Sequence, residues 1–178
     1  MKKLILIAVI FTLSGFNFAF AQKANLNVAV IDVEEVLKNS TVVKYVKEKI
    51  ASKEKIYQAE IDKEQKKLEK EFNRIKSKQS VLSDSAKKEE ERKFAEKFNK
   101  LKSELDAKQK SLKKAYLESM TQIDKKVNEI VADISKSNNI DLILPSSQII
   151  SYQDELDISP LVLKRLNKDL KKVKINFN

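Results

Sequence analysis

The residues that could do chemistry in this sequence are two groups of carboxylates, Glu89-Glu90-Glu91 and the pair Asp62 and Glu64. Paired carboxylates can divide general-acid and general-base work when a pocket sets their pKa values apart. No pocket-forming sequence surrounds either group. Each lies in a run of Lys, Glu and Gln and reads as a solvated helix face. Ser-Lys chemistry is open on composition alone, but there is no His and no Cys. Ser-His and Cys-His nucleophiles and an ordinary zinc site are therefore excluded. The single glycine, Gly15, lies far from any phosphate-cradling pattern, so a Walker or dinucleotide loop is excluded as well. Asp32 follows an apolar run and stands three residues before Glu35. That is an Asp-x-x-Glu capping box for a helix starting at Val33, and a better account of Asp32 than catalysis. No catalytic, cofactor-binding or metal-ligating residue is assigned, no cofactor is expected, and the chain is not read as an enzyme.

The elements explain the missing chemistry. Met1-Lys2-Lys3 is basic, Leu4 to Phe20 is largely apolar and uncharged, and Ala19-Phe20-Ala21 is a small-x-small cleavage site before Gln22. This predicts a signal peptide over residues 1–21, cleaved after Ala21, and an exported, periplasmic product. A retained anchor is the alternative, and the apolar stretch is barely long enough to span a bilayer. Without cysteine there is no disulfide framework and no lipid-modified cysteine. The chain is strongly basic, with 36 Lys and Arg against 26 Asp and Glu.

From Lys38 to Asn139 there is no Gly and no Pro. Those residues are the strongest helix breakers, so this stretch predicts long helices. Val46, Ile50, Tyr57, Ile61, Leu68, Phe72, Ile75 and Leu82 follow a coiled-coil spacing. Phe94, Phe98, Leu101, Leu105, Leu112, Tyr116, Met120, Ile123, Val127, Ile130 and Ile134 follow it again. Each tract carries one extra four-residue step, a stutter that unwinds a supercoil locally. An antiparallel register faces Val46 with Ile123, Tyr57 with Leu112, Leu68 with Leu101 and Ile75 with Phe94. It also sets the stutters opposite each other. The expected arm is a hairpin over residues 42–137 with its tip near 80–88, where Ser83, Asp84 and Ser85 supply turn and capping residues. Each arm would extend about 60 Å. Lys53, Glu64, Gln65, Gln79 and Lys108 interrupt the seam, so it is thin. One continuous helix in a dimeric stalk is the alternative.

Residues 22–41 and 138–178 form the expected body. Val28–Ile31 has the composition of a buried strand. Asn138-Asn139 ends the second arm, Ile140–Leu144 is strand-like, Pro145-Ser146-Ser147 turns, and Gln148–Tyr152 reads as a third strand. Ser159 is the expected N-cap of a last helix, with Pro160 at its first position. Leu161, Val162, Leu163, Leu166 and Leu170 give that helix an apolar face. The fold class is α+β, mostly α: a small β body carrying a long antiparallel coiled-coil hairpin. So small a sheet builds little core and leaves sticky edges. Oligomerisation through Val28, Val30, Leu142, Leu144, Ile149 and Tyr152 is the expected remedy.

The opening "VAVIDVEEVL" and the closing "IDLIL…SYQDELDISPLVLKRL", in this order around a Lys/Glu/Gln-rich hairpin, resemble the Skp/OmpH periplasmic chaperones. The resemblance implies a jellyfish-shaped homotrimer whose arms enclose a cavity. It implies ATP-independent holding of unfolded outer-membrane proteins until they reach the insertion machinery. The family has no catalytic residues to carry over. Lipopolysaccharide contact is proposed for some members, but no motif here places it; contact of the Lys-rich tail with anionic lipid stays open. The longer basic C-terminal stretch "KRLNKDLKKVKINFN" has no role in the family pattern.

In such a holdase, the client-binding arm would use Lys66, Lys67 and Lys70 for attraction and Phe72, Ile75, Phe94 and Phe98 for contact. Between Lys63 and Lys102 there are 14 basic and 8 acidic residues, a field that salt screens. The plainer reading makes the four apolar residues seam and the lysines solvated face. Two other functions compete: a structural coiled-coil protein of the envelope, and a polyanion binder for nucleic acid or lipopolysaccharide. Nucleic-acid binding would be incidental in an exported protein.

Overall fold

The computed structural model describes residues 26–178. The expected leader and its cleavage site lie outside the described residues. The order is β1 (Val28–Ile31), α1 (Val33–Asn39), α2 (Thr41–Lys78), α3 (Asp84–Ser137), β2 (Leu142–Pro145), two single 3-10 turns (Ser146–Gln148 and Asp154–Leu156) and α4 (Ser159–Asp169). The protein is mostly helical with a small β part.

Local chemistry sets the element ends. The Asp32 carboxylate accepts the Glu35 N–H at 2.8 Å and caps α1. Only half of the expected box forms, because the Asp32 N–H donates to Ser159 Oγ at 2.7 Å rather than to Glu35. Ser40 caps α2 through Val43 N–H, and Ser83 caps α3 through Ala86 N–H. At the far end of α3, Asn139 takes a φ of 51°. The Ile140 N–H then closes back on the Ser135 carbonyl at 2.9 Å. This is a Schellman ending with Asn where Gly is commoner.

β1 and β2 run parallel, with Val28 facing Leu142 and Ile31 facing Pro145. Parallel neighbours need a crossover connection; here the whole helical excursion supplies it. The expected third strand is absent. Ser146–Gln148 closes a 3-10 turn, with Ile149 N–H on the Ser146 carbonyl, and Gln148–Tyr152 joins no ladder. The free edge of β1 is already taken. Val30 bridges Asp157, and the Ile158 N–H donates to the Val30 carbonyl at 2.9 Å. Ser159 is also not the cap of α4. Ile158 holds that position and Ser159 is the first helical residue. The Asp157 carboxylate accepts both the N–H and the hydroxyl of Ser159. Buried Ser159 thereby ties the end of β1 to the start of α4.

The core lies where these pieces meet. Val36, Val42, Val43, Val46, Ile123, Val127, Ile130, Ile134, Val162 and Leu166 are all buried in it. Each such side chain is worth roughly 1.5–3 kcal/mol of burial. α2 and α3 run antiparallel outward from this base, as the cross-helix pairs Glu60–Lys108, Glu71–Lys97 and Arg74–Glu90 show. Burial fades along them. Ile61 is the outermost buried residue of α2 and Ala115 that of α3.

Candidate functional site

The arm beyond Ile61 is where the sequence offers both charge and exposed apolar surface. Phe72 and Phe94 meet across the two helices, ring centroids 5.7 Å apart and tilted by 45°. Their contact is incomplete, because Phe72 remains 52% exposed. Phe98 is 55% exposed. Ile75 and Phe94 are half-buried. With Lys76, Gln79 and Glu91, three of these four residues line an open groove of about 280 Å³. Lys66, Lys67 and Lys70 are exposed, and Lys67 pairs with Glu64 at 2.6 Å.

Nearer the base, the helices part around a cavity of about 620 Å³. Lys63, Lys67, Lys97 and Lys100 line it beside Glu60, Glu71 and Glu104. Glu60 and Lys108, which also line it, belong to an arrangement around Tyr57. Lys53 Nζ lies 4.7 Å and Lys108 Nζ 4.4 Å from the ring centroid. Lys108 also bonds Glu60 at 2.5 Å. That bond holds the Glu60 carboxyl below its ordinary pKa and raises that of Lys108. The two lysines that interrupt the seam are therefore accommodated. Both ammonium groups lie over the Tyr57 ring.

Three of the five carboxylates, Glu64, Glu89 and Glu90, are engaged by cations. Glu89 accepts from Arg92 and lies near Lys93, which lowers its pKa to about 2. Glu90 bonds Arg74 across the hairpin. Glu64 is lowered chiefly by its bond to Lys67. Asp62 accepts from Gln58. A carboxylate held ionised by a neighbouring cation is a poor general acid at neutral pH. Among the described residues no group of three or more His, Cys, Asp or Glu side chains could hold a metal ion. Among them, too, no helix is long and apolar enough to cross a membrane.

The six residues expected at an assembly surface divide. Val30 is 1% exposed and belongs to the chain's own core. Val28, Leu144 and Ile149 are half-buried. Leu142 and Tyr152 face out. Sequence reasoning missed Ile150, which is fully exposed, and Leu26, which is largely so; Leu161, expected on the apolar face of α4, is 43% exposed. A signal for Ile150 was present: in the pair Ile149-Ile150 only one side chain can face a core on an extended backbone.

Residues 27–166 match the family model described as Outer membrane protein (OmpH-like). An uncharacterized protein of Aquifex aeolicus (strain VF5) is 31% identical over 163 residues, which cover 90% of this chain and 94% of that one. The fold is similar to a crystal structure from Caulobacter crescentus CB15 that is described as OmpH-like and proposed to be an outer membrane chaperone. The TM-score is 0.79 at 16% identity, over 86% of this chain and 90% of that chain.

Proposed function

The chain belongs to the OmpH-like family, and on that premise we propose that it is an exported, ATP-independent holdase. It binds unfolded outer-membrane proteins in the periplasm and prevents their aggregation before membrane insertion. One observation carries this reading: the hairpin loses its buried seam beyond Ile61 and leaves Phe72 and Phe98 half-exposed on a basic surface. A holdase needs many weak contacts rather than one deep pocket, so that release needs no nucleotide. A half-exposed Phe that gains a partner contributes part of the roughly 1.5–3 kcal/mol of full burial. Lysines such as Lys66 and Lys70 raise the encounter rate with acidic segments and lose reach within about 8 Å at physiological salt.

The body supports assembly. Its two-stranded sheet is small; Leu142 is exposed on β2, and Ile150 and Tyr152 are exposed on the segment that follows it. A homotrimer, with three coiled-coil hairpins around a shared cavity, is the assembly that fits the family. No catalytic step is part of this reading.

The test is the native mass of the protein, alone and after mixing with a barrel protein diluted from urea. A trimer that keeps one barrel soluble is the expected result. Phe72→Ser with Phe98→Ser should weaken capture about tenfold, as loss of part of two side-chain burials implies, with helix content unchanged. Precipitation of the barrel as in the protein's absence would sink the proposal. The basic arm also favours a second reading, polyanion binding. That reading requires affinity for unfolded barrels to vanish entirely at high salt, whereas the apolar contacts should survive it.

A further inference from the structure

Residues 171–178 lie beyond the region matched to the family, which ends at 166. They leave α4 as an extended segment seated on the root of the hairpin. Their side chains alternate: Val173, Ile175 and Phe177 are half-buried, while Lys172, Lys174 and Asn176 are exposed. Val173 and Ile175 pack against the central core. Lys53 Nζ lies 5.8 Å from the centroid of the Phe177 ring, and Lys172 Nζ lies 5.9 Å from that of Tyr45. Tyr45 and Lys53 are about two turns apart on α2, so the tail follows that helix toward the tip for roughly 12 Å.

One side chain holds the backbone of the tail. Gln122 of α3 donates from Nε2 to the Lys174 carbonyl at 2.9 Å and accepts the Lys174 N–H at Oε1, 3.3 Å. Two strand residues exchange such a pair of bonds in an antiparallel sheet; here an amide side chain makes it. The contact reads the backbone N–H and C=O of one residue and is indifferent to the side chain attached. The flanking seats accept an apolar residue at every second position. Together they select an extended segment of period two, whatever its sequence. Membrane-spanning β-strands carry that alternation.

We infer that the hairpin root around Tyr45, Lys53 and Gln122 is a docking groove for an extended amphipathic segment of an unfolded barrel protein. The chain's own tail is its resident occupant and yields when a client strand enters. The nature of the client rests on the chaperone reading; the groove and its occupant do not. A tethered segment has an effective concentration on the order of 1 mM. If the free segment binds at about 0.1 mM, the resident tail weakens any competitor about tenfold.

The test uses fluorescence anisotropy with two labelled peptides, one copying residues 171–178 and one copying a membrane strand of a barrel protein. The full chain is compared with the full-length variant Val173→Asp, Ile175→Asp, which unseats the tail, and with a chain ending at Leu170. Both altered chains should bind the tail peptide about tenfold more tightly than the native chain. The barrel-strand peptide should compete. Gln122→Ala, added to the unseated variant, should remove most of that gain while helix content stays constant. Equal binding by native and altered chains would make the tail a plain structural clamp and overturn the inference. Tail-peptide binding that the barrel strand cannot displace would overturn it too. A native chain that fails to keep the barrel soluble, while the unseated groove binds both peptides, would remove the chaperone reading and leave the groove standing.

Discussion

Ser159 shows how much one small residue decides here. Its hydroxyl accepts the Asp32 N–H at 2.7 Å and donates to Asp157 at 2.5 Å, and the residue is buried. It therefore joins the end of β1, the cap of α1 and the start of α4. Removing one partner of a buried hydrogen-bonded group strands the others, at about 1–3 kcal/mol. Ser159→Ala should cost about that much in thermal or urea unfolding, because both the Asp32 amide and the Asp157 carboxylate lose a partner. A change within about 0.3 kcal/mol, small beside that penalty, would mean that water replaces the hydroxyl. Tyr57 makes the opposite point. Lys53 and Lys108 share its ring at 4.7 and 4.4 Å, and exposed cation–π contacts are worth only about 0.5–1 kcal/mol each. The seam tolerates these lysines; they do not hold it together.

At the scale of elements, ion pairs within and between the two helices run along the hairpin, and those with depressed carboxylates set its response to acid. Glu60 is lowered from 4.5 by its bond to Lys108, Glu64 is lowered by Lys67, and Glu89 falls to about 2 beside Arg92 and Lys93. A depressed carboxylate gives its full stabilisation above the unfolded pKa and loses it as pH falls through the folded one. Arm helicity should therefore hold from pH 7 to about 5 and decline between about 4.5 and 2. These groups are solvent-exposed, so 1 M salt should flatten the decline. Circular dichroism against pH at two salt concentrations checks this; a loss centred between pH 5 and 7 would contradict it. The helices were legible in the sequence because a hundred residues without Gly or Pro leave few other outcomes, and because Asp32, Ser83 and Asn139 mark ends by local chemistry. The two-strand limit was not legible. Gln148–Tyr152 has the composition of a strand, but Asp157 and Ile158 take the edge of β1, a long-range competition that no local pattern reports. The candidate arm residues were visible as types. Which of them stays exposed was not: Phe72 is 52% exposed and Phe94 is half-buried, although the two rings meet.

For the whole molecule, the exposed apolar residues of the body must be reconciled with its small core. Ile150 is fully exposed, Leu142 is 42% and Leu26 61% exposed, and none of them is part of the chain's own core. Charged substitutions there should cost the isolated chain little, since surface changes away from packed features usually stay within about 0.5 kcal/mol. If these residues join copies of the chain, the same substitutions bury a charge in the assembled state, which is expensive without a partner. Leu142→Asp with Ile150→Asp should therefore lower the native mass, read by light scattering on a sizing column, while the circular dichroism spectrum keeps its helical minimum. The functional consequence follows from multivalency. Several weak arms held around one client raise its apparent affinity by about 10²–10⁴ over a single arm. Dissociating the body should thus weaken barrel capture more than Phe72→Ser with Phe98→Ser does, although no arm residue is touched. An unchanged mass would place the assembly surface elsewhere. A lowered mass with undiminished capture would show that single hairpins hold their clients alone.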